Sequence, residues 1–195
     1  MTERRKKRLQ EVVSRRQQGI LVLEDIHDPH NSAACFRSAD GFGFQTVYLI
    51  FRSEKKFNPK KVGKVTSSSA NKWLNFKIYA STETCLRDLK KQGYETIATV
   101  IQGKGVEDFS KAKLVKPKIA LLLGNEHRGL SEIAIRLADR RMAIPMQGLV
   151  ESFNLSVTAA LGLYEITRQR IARGMKKYVL SVKNQKRLFR DFLKR

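Results

Sequence analysis

Five consecutive apolar residues, Ile119–Leu123 (IALLL), stop at Gly124 and give way to a charged, glycine-bracketed stretch, Asn125-Glu126-His127-Arg128-Gly129-Leu130-Ser131. A strand with one face in water alternates apolar and polar residues, so an unbroken run predicts a central parallel strand covered on both faces. Such a strand needs helices above and below it, which places the chain in the α/β class. The polar stretch then falls at the carboxyl end of a buried strand, where open α/β sheets bind ligands.

The remaining pattern fits an alternation of strands and helices. Residues 4–18 carry Leu9, Val12 and Val13 at helical spacing among basic residues, predicting an amphipathic basic helix that Gly19 ends. A short strand over 20–26 and a turn at Asp28-Pro29 lead into a helix with Asn31 as its candidate N-cap and Gly41 and Gly43 at its close. Further strands are expected at 46–51, 73–80, 96–101 and 142–146, and helices from Ser81 to Gly93 and from Ser131 to Asp139. Pro145 has no N–H for a ladder, so it puts the end of its strand at the sheet margin or in a loop. In the Lys/Ser/Gly-rich segment 52–71, the Ser67-Ser68-Ser69 run reads either as a flexible RNA-contacting loop or as a helix start. Gly103-Lys104-Gly105 is not a phosphate loop, because no G-K-[ST] follows.

Charge narrows the partners. The chain has 39 Lys and Arg against 18 Asp and Glu, a net of +21, and the excess gathers at the ends: +5 in residues 1–16 and +10 in residues 168–195. Ends of this kind suit a polyanion held by counterion release, nucleic acid before anionic lipid, although basic tails also occur as solvated faces. No apolar run approaches the roughly 20 residues that span a bilayer, and the charged start lacks a signal-peptide core, so a cytoplasmic protein with no membrane anchor is expected. Cys35 and Cys85 give no disulfide framework, and His27, His30 and His127 have no metal-ligand spacing. No metal is expected.

Two places stand out as candidate sites. In residues 144–163 (IPMQGLVESFNLSVTAALGL), Ser152 and Asn154 lie in a small-residue loop before an apolar helix. They read equally as ligand groups and as the N-cap of that helix. The helix itself is expected to be buried in its first half and to emerge, basic, from Arg168. In the helix after Asn31, Arg37 shares a face with Ala33 and Ala34, so its guanidinium either extends over small residues beside open space or is an ordinary solvated side chain. Residues 175–195 form a last basic helix or tail whose apolar residues pack on the body or on a second subunit.

Three blocks together, HNSAA (30–34) with Arg37, LLLGNEHRGLS (121–131) and IPMQGLVESFNLSVTAALGLYE (144–165), resemble in order and spacing the motifs of the SpoU/TrmH branch of the SPOUT methyltransferases. The likeness runs from about residue 8 to residue 175, and the basic first helix followed by PHN is most similar to the tRNA guanosine-2′-O-methyltransferases of the D-loop. It implies a parallel sheet flanked by helices and a deep C-terminal trefoil knot in about 118–174, against the rarity of knots. It also implies a homodimer and S-adenosylmethionine as cofactor. The methyltransferase domain would span 19–174, with basic helical extensions at 1–18 and 175–195.

By motif match, Arg37, Asn31, Glu126, Ser152 and Asn154 are the catalytic set, and Thr99, Gly124, Ile144, Phe153 and Leu155 hold the cofactor. RNA contacts are expected from Arg4, Arg5, Lys6, Lys7, Arg8, Arg15 and Arg16, and from Arg168 and Arg173. A guanidinium is a poor general base. Arg37 therefore either acts with local help, such as a bound phosphate, or orients the ribose hydroxyl. Phe153 stands where an aliphatic residue is usual, and the region after Tyr178 diverges, which bears on substrate more than on chemistry. The implied activity is ribose 2′-O-methylation of a tRNA D-loop guanosine; the alternatives are an rRNA or wobble-nucleotide target and a catalytically idle RNA-binding dimer.

Overall fold

The structure, a computed structural model, describes residues 1–63 and 66–195; Lys64 and Val65, in the Lys/Ser/Gly-rich segment, lie outside the described residues. Seven strands, β1 (Gln17–Glu24), β2 (Phe44–Ile50), β3 (Asn75–Tyr79), β4 (Glu95–Thr99), β5 (Glu107–Asp108), β6 (Ile119–Leu123) and β7 (Arg140–Ala143), pair in the order β3-β2-β1-β6-β4-β7-β5. Every pairing is parallel.

The apolar run sits where its composition requires. β6 is the central strand and all five of its residues are buried. Ile119, Leu121 and Leu123 face one core with α2 (Pro29–Gly41) and α6 (Leu155–Ala172), whereas Ala120 and Leu122 face another with α4 (Thr82–Lys91) and α5 (Glu132–Leu137). The period-two alternation of side chains divides one strand between two cores. Among the described residues the remaining helices are α1 (Glu3–Ser14), α3 (Ala70–Trp73) and α7 (Val182–Leu193), with one 3-10 turn at Met175–Lys177. α1 and α7, from opposite ends of the chain, bury Leu9, Val13, Leu188 and Phe192 against each other. Among the described residues no helix is long and apolar enough to cross a membrane.

Several local expectations are corrected. α1 ends at Ser14, and Gly19 lies inside β1, where a Cβ would come within 2.3 Å of the Phe44 ring. Gln17 already pairs with Phe44, so sheet pairing overrides the helix-compatible Gln-Gln dipeptide. Pro145 falls outside β7, which ends two residues earlier, and the two-residue β5 carries no periodicity that a sequence reading detects. Ser67 is buried; Ser68 and Ser69 are exposed with positive φ, and Ser69 precedes α3 without capping it through its side chain.

α6 does not divide into a buried first half and an emergent basic second half. One face is buried throughout, from Leu155 and Ala159 through Leu163 and Ile166 to Arg170, while Val157, Leu161, Tyr164 and Ile171 are exposed. Arg170 is fully buried and, among the described residues, has no carboxylate partner. It donates from Nη1 to Gln17 Oε1 (2.9 Å) and from Nη2 to Lys116 O and Pro117 O (3.0 Å each), between the Phe44 and Tyr178 rings. Burial pushes its pKa down to about 10.

Candidate active site

The site grows from the way α2 begins. Asp28, not Asn31, is the N-cap: its Oδ1 accepts from His30 N (2.8 Å), and Pro29 fills the first turn, where no N–H is needed. This frees the Asn31 amide. Its Nδ2 donates to Glu126 Oε1 (2.8 Å), and the same carboxylate accepts from the backbone N–H groups of His27 (2.9 Å) and Asp28 (3.3 Å). A carboxylate taking donors at a helix N-terminus is held by charge-assisted hydrogen bonds and by the helix dipole.

Glu126 is aimed by the turn that follows β6. Asn125, which sequence reasoning passed over, is its scaffold. Its Oδ1 accepts from His127 N (2.9 Å) and Arg128 N (3.1 Å), and its Nδ2 donates to Asp25 O (2.7 Å). Backbone bonds between Asn125 and Gly129 close the turn, so tightly that a Cβ on Gly124 would lie 2.1 Å from the Gly129 carbonyl carbon. Only glycine fits there.

α6 completes the group. The Asn154 Oδ1 accepts from Ser156 N (2.8 Å) and Ser156 Oγ (2.7 Å), which makes Asn154 the N-cap, and its Nδ2 donates to Asn31 Oδ1 (3.4 Å). Cap and site are therefore one residue. The result is a relay, Glu126–Asn31–Asn154–Ser156, that joins three segments far apart in sequence.

Beside the relay, the loops that follow β4, β6 and β7 enclose a cleft of about 700 Å³. Thr99, Gly124, Ile144, Phe153 and Leu155, all expected to hold a cofactor, line it, together with Glu126, Ser152 and Asn154. The Thr99 hydroxyl is engaged with Leu122 O (2.9 Å). Lys104, Arg128 and Arg141 also border the cleft, which gives it basic groups that sequence reading did not assign. Gly103 and Lys104 thus belong to the cleft wall, although they form no phosphate loop.

Arg37 and Asn31 are outside the cleft lining. Arg37 is exposed and, among the described residues, makes no hydrogen bond or ion pair. Of the residues expected to contact RNA, Arg4, Arg5, Lys6, Lys7, Arg8, Arg15 and Arg173 are exposed. Arg168 is exposed but held in a two-pronged bond by Glu165 (2.8 and 2.7 Å). Arg16 is a correction: it is 2% exposed, ion-paired with Asp40 and packed over Phe192, so its charge serves the interior. Cys35 lies buried near Glu126, and burial first, the carboxylate second, raise its pKa far above a reactive thiol's. Among the described residues no group of three or more His, Cys, Asp or Glu has metal-binding geometry.

A cleft of this volume, placed where three strands of a parallel sheet end, defines an α/β protein with room for a ligand of nucleoside size at the usual site of such sheets. Comparison with known proteins makes the class specific. The model of the SpoU rRNA Methylase family matches residues 18–164, and the chain belongs to that family of methyltransferases. The tRNA (guanosine(18)-2′-O)-methyltransferase of Thermus thermophilus is 37% identical over 177 residues, which cover 89% of this chain and 87% of that one. The crystal structure of the Aquifex aeolicus TrmH/SpoU tRNA modifying enzyme superposes with a TM-score of 0.86 at 30% identity, over 97% of this chain and 94% of that one. The SpoU methyltransferase AviRb of Streptomyces viridochromogenes, in complex with AdoMet, matches with a TM-score of 0.68 at 25% identity, over 83% of this chain and 62% of that one.

Proposed function

We propose that this chain methylates a ribose 2′-hydroxyl of tRNA, at a D-loop guanosine, with S-adenosylmethionine as donor. The relay on the rim of a nucleoside-sized cleft carries this reading: a fixed carboxylate and two amides stand beside a cleft with room for a nucleoside. When bound, the sulfonium of the cofactor supplies the methyl group. Gly124 lets the turn from Asn125 to Gly129 close tightly at the cleft, and Ile144, Phe153 and Leu155 offer apolar surface to the adenosyl part. Glu126, oriented by α2, fixes Asn31, and Asn31 fixes Asn154; the three set where the incoming ribose sits. Arg37, exposed on α2 and unpaired among the described residues, then donates hydrogen bonds to the ribose oxygen or a neighbouring phosphate and stabilises the negative charge that develops on that oxygen as its proton passes to solvent water.

The same reading includes threading of 118–174 as a knot, a cytoplasmic setting and a homodimer. The dimer is supported by the apolar stripe Val157, Leu161, Tyr164 and Ile171, which recurs at helical spacing on the solvent side of α6. The family description names rRNA where the T. thermophilus relative names tRNA, so an rRNA target is the second reading. Incubation of tRNA and rRNA with labelled cofactor, followed by nuclease digestion and mass spectrometry, separates the two. A 2′-O-methylguanosine in tRNA is expected; methylation of rRNA alone would overturn the tRNA assignment.

A further inference from the structure

The connection from β2 to α3 is about twenty residues long and, among the described residues, holds no strand, yet its two ends are built like an interior. Connections this long without secondary structure are usually functional or disordered, and the order here has identifiable causes. The Asp25 carboxylate Oδ1 accepts from Arg52 N (2.6 Å) and Ser53 N (3.0 Å) at its start. Phe57 packs edge-on against Phe51 and on the main core. At its end the buried Asn71 amide donates to three backbone carbonyls, those of Pro59 (3.3 Å), Lys60 (3.2 Å) and Val62 (3.1 Å). Three acceptors on one side-chain nitrogen fix the path of the loop at small further entropy loss.

What this fixed loop presents is positive charge. Residues 52–71 contain six Lys or Arg and one acidic residue, Glu54. Arg52, Lys55, Lys56, Lys60 and Lys61 are exposed and, among the described residues, in no ion pair. Glu54 does not neutralise them, because it faces His27 Nδ1 (3.2 Å) and Arg128 Nη2 (2.7 Å). The Arg128 contact, with Asn125 Nδ2 at 3.4 Å, ties the start of the loop to the turn that borders the cleft, and the His27 contact ties it to the segment before α2. Its other end lies on α2: Gly63 approaches Ala33 so closely that a Cβ would sit 2.3 Å from the Ala33 Cβ. Arg37 is one helical turn beyond Ala33. Unneutralised lysines on an ordered backbone, held between the cleft rim and the helix that carries Arg37, suit an extended chain of phosphates. The exposed side chains among residues 52–61 are charged or polar, with the one aromatic turned inward, which fits a nucleic acid better than a lipid surface.

We propose that the 52–61 loop is a preformed phosphate-binding wall that grips the RNA backbone next to the target ribose. The proposal rests on the RNA-methylating function above and adds to it a contact surface outside both basic ends. Its lysines act as point charges, so they position the RNA without reading its sequence.

The test compares the wild-type chain with a variant carrying Lys55→Gln, Lys56→Gln, Lys60→Gln and Lys61→Gln, using an unmodified tRNA transcript over a salt series. Each phosphate left without its lysine lowers the slope of log affinity against log salt by about 0.7 to 0.9, so a flattening of about 3 and a weakening of about tenfold or more at low salt are expected. Unchanged affinity for S-adenosylmethionine shows that the variant is folded. A second variant, Asn71→Ala, removes no charge; it is expected to weaken RNA binding by loosening the loop, and tRNA affinity equal to wild type would overturn the preformed wall. Wild-type affinity and slope in the four-lysine variant would overturn the proposal alone. Absence of RNA binding by the wild-type chain would overturn the function and the proposal together. Vesicles of phosphatidylcholine and phosphatidylserine form the last arm: loss of vesicle binding with RNA binding intact would reassign the loop to a membrane and overturn it.

Discussion

Asn154 closes the α6 N-terminus with its carbonyl oxygen and reaches Asn31 with its amide nitrogen. Substitution separates the two duties. Asn154→Ser keeps a side chain that caps about as well as Asn, so thermal unfolding should stay near wild type. Methyl transfer should fall, because serine cannot also reach Asn31; wild-type turnover would show that Asn154 is only a cap. Arg37→Ala makes the complementary test. With no hydrogen bond or ion pair to lose, it should leave stability unchanged and abolish transfer while cofactor affinity stays intact; loss of cofactor affinity of the same size would sink the role given to Arg37. Asn31, Glu126 and Asn154 were legible as polar residues at element ends within matched motifs. Asn125 and Asn71 were not, because each works by satisfying backbone groups brought near it only by the fold, and that leaves no period or spacing to read.

β6 and α6 show how far pattern carries at the level of elements. The IALLL run declared itself because a strand buried on both faces has no freedom to alternate. α6 misled because its solvent side is apolar too, so a count of hydrophobic residues could not tell core from exposed stripe, and its fully buried Arg170 reads in sequence as part of the basic end that opens at Arg168. If the stripe meets a second copy, Leu161→Glu places a charge in an apolar contact and should convert the dimer to monomers in sedimentation. Thermal stability of the monomer should hardly change, since Leu161 is exposed. A variant that sediments as the wild type would remove α6 from the interface.

Across the whole molecule, strand order was the least legible feature, because β6 enters between β1 and β4 long after both are made and no local signal encodes that insertion. The two basic ends illustrate the same point. They read as separate extensions, the last of them packed on the body or on a second subunit, and no signal paired them with each other; yet α1 and α7 share one apolar cluster, and Arg195 donates to Lys72 O (2.9 Å), Leu74 O (3.2 Å) and Asn75 Oδ1 (2.7 Å), tying the last residue to the start of β3. Structure and charge at the ends should therefore respond to different substitutions. Phe192→Ala removes a side chain that is 1% exposed and should destabilise by about 3 to 5 kcal/mol, measured by denaturant unfolding. Replacing Arg4, Arg5, Lys6, Lys7 and Arg8 with Gln removes charges that are all exposed and should leave unfolding unchanged. That second variant should flatten the salt dependence of tRNA binding by about 0.7 to 0.9 for every phosphate that these side chains neutralise. An unchanged slope would place the RNA elsewhere on the molecule, and if the loop lysines still flattened it, the wall beside α2 would be the principal grip.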